Sequence, residues 1–195
     1  MYKVYVKYGG VECPLHEPLD DDVRIMDPVL TEEIGSAGSF SFQIYRGHPN
    51  YDKIRPCKSE VILYQDGEVI FYGRIMKPEQ GVDNIVAVTC EGELTYLLDS
   101  IQRPFSYTGN ISNYIGRLLE AHNGQVEAEK RIEKGIIVVT GDNADIERVL
   151  TGFSPTLTVL RQLSEEYGGY YRIRHAGGKR YLDYLWDYGG INEQV

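Results

Sequence analysis

Two glutamates, Glu91 and Glu93, flank Gly92 in the stretch CEGE. On a strand they would share a face about 7 Å apart, a spacing that suits a pair of glycosidase carboxylates. They also stand between a strand pattern and a helix pattern, where acidic side chains complement a helix dipole. The second role is the simpler one. Asp20, Asp21 and Asp22 form an acidic run that could be read as a metal site. Three adjacent carboxylates in a strand cannot all point one way, so a loop is expected there. His16, His48, His122 and His175 lack the short-spaced histidine partner of a zinc site. His122 closes a helix pattern, where a cation would favour the dipole, so its expected role is structural. Ser36 and Ser41 lie near glycines without forming a G-x-S-x-G elbow. Gly177-Gly178-Lys179 lacks the rest of a phosphate loop. No catalytic, metal-binding or cofactor-binding residue is assigned, and no cofactor is expected.

The elements that must carry these residues sit in a chain of 195 residues, 42% hydrophobic and 25% charged. That length allows one large domain or two small ones, with ordinary globular composition. Tyrosine is unusually frequent, 16 against one tryptophan and five phenylalanines. It suits half-exposed sheet surface and assembly interfaces alike. The net charge of −9 and the absence of a Lys/Arg cluster argue against a specific nucleic-acid partner. Arg172, Arg174, Lys179 and Arg180 fall on two arms of an expected hairpin and read as its solvated face. Cys13, Cys57 and Cys90 show no C-x-x-C pair and are expected as reduced thiols. No apolar run approaches the roughly 20 residues of a membrane span, so no membrane insertion is expected.

From the N-terminus, residues 2–8 alternate with period two, placing Tyr2, Val4, Val6 and Tyr8 on one face. Gly9-Gly10 ends that strand. Residues 23–30 suggest a second strand broken by Pro28. Residues 39–45 put Phe40, Phe42 and Ile44 toward a core. Residues 47–58 make a longer excursion. EVILYQ and EVIFYGRI flank Asp66-Gly67, a strong two-residue hairpin signal because both turn positions need positive φ. Residues 84–90 are apolar on both faces, as in a central strand. Roughly six turn-separated strands by Glu91, with no helix, favour a small antiparallel barrel or sandwich.

Then comes CEGELTYLLDSIQRP, where Leu94, Leu97, Leu98 and Ile101 form a helical stripe that Pro104 stops. Asn110 is a candidate N-cap for a helix with Ile111, Ile115, Leu118 and Leu119 on its apolar face, ended by Asn123-Gly124. Residues 135–140 suggest a strand and residues 143–152 a polar, irregular stretch. Ser154-Pro155 is expected to open a second helix, with serine as cap and Leu157, Leu160 and Tyr167 buried. Gly168-Gly169 ends it, and residues 170–175 and 179–186 flank the Gly177-Gly178 turn of a final hairpin. The expected fold is thus α+β and mainly β. An antiparallel β-barrel-like domain over residues 1–104 ends in a short helix, and a small α+β domain follows over residues 105–195.

CEGELTYLLDSIQRP resembles a segment in the N-terminal region of siphophage and prophage tail proteins, the tail-associated lysin or prophage tail endopeptidase group. VLTEEIGSAGSFSFQI, EVILYQDGEVIFYGRI (with Phe71, Gly73, Arg74 and Ile75) and GGYYRIRHAGGKRYLDYL resemble further motifs of that group, in the same order. Such proteins are similar to the baseplate hub of contractile phages and to type VI secretion spike hubs.

The resemblance implies a structural virion protein, a hub subunit at the tail tip that forms a homotrimer and caps the tail tube. It implies the distal tail protein and tail tube proteins as partners, with the tape measure protein as a further neighbour. It implies assembly in the bacterial host cytoplasm. Any lytic domain of the family is expected downstream of this chain, so this stretch is not expected to be an enzyme. The competing readings are a cell-wall-degrading tail enzyme, a peptidase or glycosidase working through Glu91, Glu93 or another site, a hexameric distal tail protein, and a carbohydrate-binding receptor protein.

Overall fold

A computed structural model describes residues 1–33, 35–81, 83–139 and 144–186. Thr140, Asn143 and the polar INEQV tail fall outside them. The chain divides into two compact units. The first comprises Met1–Glu33 and Ala37–Glu93; the second starts at Leu94 and also takes in Gly35 and Ser36.

The first unit is built on one 8-stranded sheet. Its strands are β1 (Tyr2–Tyr8), β2 (Val11–His16), β3 (Met26–Thr31), β4 (Ser39–Tyr45), β5 (Glu60–Gln65), β6 (Glu68–Ile75), β7 (Glu79–Gln80) and β8 (Ile85–Gly92). The order is β2-β1-β5-β6-β8-β4-β3, with β7 beside β8, and every pairing is antiparallel. Alternation selects the inner face. Val4, Val6, Leu15, Phe40, Phe42, Ile44, Val61, Leu63, Phe71, Ile75, Val86, Val88 and Cys90 share one cluster. Side chains from strands near both ends of the order meet in it, so the sheet curls around its core. No pairing between β2 and β3 closes a barrel among the described residues. Asp66 and Gly67 both take positive φ, 53° and 93°, as the hairpin signal requires.

Several expectations change here. β2 was hidden by Pro14, which an edge strand tolerates because it need not donate on its outer side. Pro28 likewise lies in edge strand β3, beside a register shift between Met26 and Val29. β8 is central, between β6 and β4, but apolar on one face only: Val86, Val88 and Cys90 are buried while Ala87 and Thr89 are exposed.

A six-residue 3-10 helix, Glu93–Leu98, spans the boundary, and in the second unit it leads into β9 (Ile101–Gln102) and β10 (Phe105–Asn110). After α1 (Ile111–Asn123) come β11 (Glu133–Val138), β12 (Asp145–Leu150) and β13 (Ser154–Pro155). Then α2 (Thr156–Tyr167) precedes the hairpin of β14 (Tyr170–Ala176) and β15 (Lys179–Leu185). β10 pairs with β12, β9 with β13, and β15 lies between β14 and β11, antiparallel to the first and parallel to the second. Asn110 caps α1 as expected, its Oδ1 accepting the Asn113 N–H at 2.8 Å. Ile111, Ile115, Leu118 and Leu119 are all buried.

The segment after Gly92 departs from the expected stripe. A 3-10 helix repeats every three residues, so Leu94 and Leu97 face inward while Leu98 is exposed; past its end Ser100 is buried and Ile101, in β9, is exposed. Ser154 is not the cap of α2. It belongs to β13, and the Thr156 N–H is met instead by the Ser100 carbonyl at 3.0 Å. Residues 145–150 are a strand, not an irregular stretch. Their inward set, Ile146, Arg148 and Leu150, includes an arginine, which disguised the alternation.

Candidate functional site

Glu91 and Glu93 do not form an open carboxylate pair. Glu91 lies opposite Arg74 across β8 and β6, with Nη2 and Oε2 3.5 Å apart. Glu93 is buried in the first turn of the 3-10 helix. The pair therefore stands where a strand ends and a helix starts. The acidic run 20–22 is a turn: Asp20 Oδ1 accepts the Asp22 N–H, and Asp21 pairs with Arg24. His48 ties the 47–58 excursion down. Its Nδ1 accepts the Asn50 N–H at 3.0 Å and its Nε2 lies 3.1 Å from the Leu15 carbonyl. Among the described residues no group of three His, Cys, Asp or Glu side chains could hold a metal ion. No described helix is long and apolar enough to cross a membrane.

The motif glycines converge in the first unit. Gly73 of β6 faces Gly92 of β8, and the Gly92 N–H donates to the Gly38 carbonyl at 3.1 Å. A Cβ on Gly92 would stand 1.7 Å from the Ala37 carbonyl oxygen. One on Gly73 would stand 2.4 Å from the Glu91 carbonyl oxygen and 2.7 Å from the Phe71 ring. Gly92 thus needs glycine because the 37–38 backbone crosses closely over the end of β8, and Gly73 because the neighbouring strand backbone and the Phe71 ring leave no room for a side chain. Arg74 and Glu91 border this crossing.

The outer face of β1, β5 and β6 is not plainly solvated. One cross-strand row reads Lys7, Glu60, Arg74, Glu91, with alternating charge across four strands. A second reads Tyr5, Ile62, Tyr72. Tyr72 hydroxyl donates to Glu60 at 2.8 Å and receives Lys7 Nζ at 3.2 Å. Tyr5 packs edge-on against Tyr64 at 5.6 Å and donates to Glu17, a bond that pushes its pKa up to about 12. Ile62 sits on this outer face yet is only 2% exposed. Exposed Tyr2, Tyr8 and Tyr45 add apolar area to the same unit.

In the second unit the buried polar residues form two knots. In one, Ser100 Oγ lies 2.7 Å from His122 Nδ1 and 2.7 Å from Thr156 Oγ1. Gln102 Nε2 donates to Thr156 Oγ1 at 2.8 Å and to the Leu118 carbonyl at 3.0 Å. His122 Nε2 meets the Lys130 carbonyl at 3.1 Å. Burial holds the His122 pKa below its ordinary value, so the ring is not the helix-end cation expected from its position. A serine hydroxyl on an imidazole is the start of a nucleophile pair, but both are fully enclosed and no substrate reaches them.

In the other knot Asp183 is buried and accepts from the Ile136 N–H at 2.8 Å and from Arg174 at 2.9 Å. Arg172 and Arg174 therefore converge on a buried carboxylate instead of forming a purely solvated face. A Cβ on Gly135 would lie 2.1 Å from that carboxylate, which explains the glycine at the irregular step in β11. Ser100, Gln102, Thr156 and Asp183 were invisible as a set in the sequence, because each is a lone polar residue in its own segment. The nearest signal was the S-x-Q spacing inside DSIQRP.

No known protein family matches the chain by sequence, and no curated protein does. Solved structures do. The chain is similar to the tail protein from Neisseria meningitidis MC58, with a TM-score of 0.63 at 14% identity over 94% of this chain and 50% of that one. It is similar to the prophage MuSo2 43 kDa tail protein from Shewanella oneidensis, TM-score 0.59, 15% identity, covering 94% and 55%. It is also similar to prophage tail protein gp18 from Listeria monocytogenes EGD-e, TM-score 0.56, 14% identity, covering 94% and 50%. The chain spans about half the length of each. It has the fold of phage tail proteins.

Proposed function

We propose that this chain is a structural subunit of a phage tail, working as the hub at the tail tip. The observation that carries the reading is the fold match to tail proteins over 94% of the chain. In this reading three copies form a ring that caps the tail tube. The ring contacts the distal tail protein and tail tube proteins, and the tape measure protein lies within reach. The β unit builds the ring, and its tyrosine-and-charge outer face supplies contact area. The α+β unit faces another part of the tail. A net charge of −9 suits a passage that DNA must cross without sticking. This stretch contributes no catalysis.

Light scattering on the polypeptide tests the assembly, and zymography on bacterial cell walls tests the absence of catalysis. The expected results are a trimer and intact walls. A hexamer would favour the distal tail reading. A monomer that never joins tail particles, or cleared walls, would overturn the proposal.

A further inference from the structure

The buried knot around His122 has a fixed proton order. The Lys130 carbonyl can only accept, so His122 Nε2 carries a hydrogen and donates to it at 3.1 Å. In the neutral ring Nδ1 is then an acceptor, and Ser100 Oγ must donate to it at 2.7 Å. That spends the only hydroxyl proton of Ser100, so Ser100 accepts from Thr156 Oγ1 at 2.7 Å. Thr156 has spent its proton in turn and accepts from Gln102 Nε2 at 2.8 Å. The other Gln102 amide proton goes to the Leu118 carbonyl at 3.0 Å. Every proton in the row has one acceptor.

A second ring proton has no place in this order. With Nδ1 protonated, His122 donates to Ser100, and either the Ser100 or the Thr156 hydroxyl is left without an acceptor in the row. His122, Ser100, Gln102 and Thr156 are 0%, 1%, 3% and 0% exposed, so water cannot take up the stray donor while the knot is closed. The charged groups acting on the ring are Asp99, in the segment after the 3-10 helix, and Lys130, in the turn at residues 128–130. They pair at 3.1 Å and offset one another. β9 and the first turn of α2 bring only the uncharged Gln102 and Thr156, and Glu120 on α1 is exposed.

We propose that this row is an acid-released clasp, which holds the 99–102 segment, α1 and the start of α2 together while His122 is neutral and lets go when it is protonated. The inference is independent of any role in a tail. Released, the Thr156 N–H loses the Ser100 carbonyl and β13 parts from β9.

Amide hydrogen exchange, corrected for the intrinsic rate, reads the clasp at Thr156, and nitrogen-15 NMR reads the ring. At pH 7.5 His122 should be the Nε2–H tautomer. Below pH 6.5 one extra proton taken up on opening should lower Thr156 protection about tenfold per pH unit, until His122 protonates in the closed state. His122→Gln keeps one donor and one acceptor but cannot be protonated, and should flatten that dependence. His48→Gln should leave it. An Nδ1–H tautomer, a ring that titrates at 6.5 or above with unchanged Thr156 protection, or a slope that survives His122→Gln would overturn the proposal. Should His122→Gln fail to fold, the tautomer and the titration of the unaltered protein decide alone.

Discussion

Replacing Gly92 by alanine puts a methyl group 1.7 Å from the Ala37 carbonyl oxygen and 2.8 Å from the carbonyl carbon behind it. Both atoms are backbone, so no side chain can swing aside. The 37–38 segment must lift, which strains the Gly92–Gly38 hydrogen bond of 3.1 Å. Overpacking typically costs about 1–3 kcal/mol and a displaced hydrogen bond about 1 kcal/mol. The expected loss is therefore about 2–4 kcal/mol, a large fraction of the stability of a small domain. Gly47→Ala is the matched control. No atom lies within 4 Å of its Cβ position and its φ is not left-handed, so its expected change is within about 0.5 kcal/mol. Urea unfolding of the purified polypeptide measures both, provided the m-value stays constant. Gly92→Ala within about 1 kcal/mol of the parent would refute the close-crossing account.

Asp183→Ala should cost about 2–3 kcal/mol, because it strands the Ile136 N–H and frees two arginines that still reach solvent; Asp183→Asn should recover part of that in the same unfolding assay. A thiol reagent should modify exposed Cys57 first and Cys13 more slowly, and should reach Cys90 only on unfolding, since burial pushes the Cys90 thiol pKa up. His16, His48 and His122 are each held below the ordinary value of 6.5, burial being the largest cause. The unfolded chain therefore takes up protons first, and stability present above pH 6.5 should fall as the pH drops below it, seen as a lower urea midpoint at pH 5.5 than at 7.5.

Where one rule decided the outcome, the fold was legible in the sequence. Asp66-Gly67 and Gly177-Gly178 each supply two positive φ angles, and both turns form. Phe40, Phe42 and Ile44 alternate and are buried. Where two rules competed, the pattern misled. Apolar spacing at 94, 97, 98 and 101 fits 3.6 residues per turn, but the segment winds with three and stops at Leu98, so Leu98 is exposed and Ile101 enters a short strand with its side chain outside. Arg148 occupies an inward position of β12 because Glu166 pairs with it, so the strand looked polar. Gly73 and Gly92 could be seen one at a time, but what excludes a side chain at each lies in tertiary contact and no local pattern holds it. The same is true of the Ser100 and Asp183 knots.

Cryo-electron microscopy of tail particles, with this chain marked by a specific antibody fragment, tests the central claim most directly. The account predicts three copies in a ring at the distal end of the tail tube. Label along the tube shaft, or particles that lack the chain altogether, would contradict it.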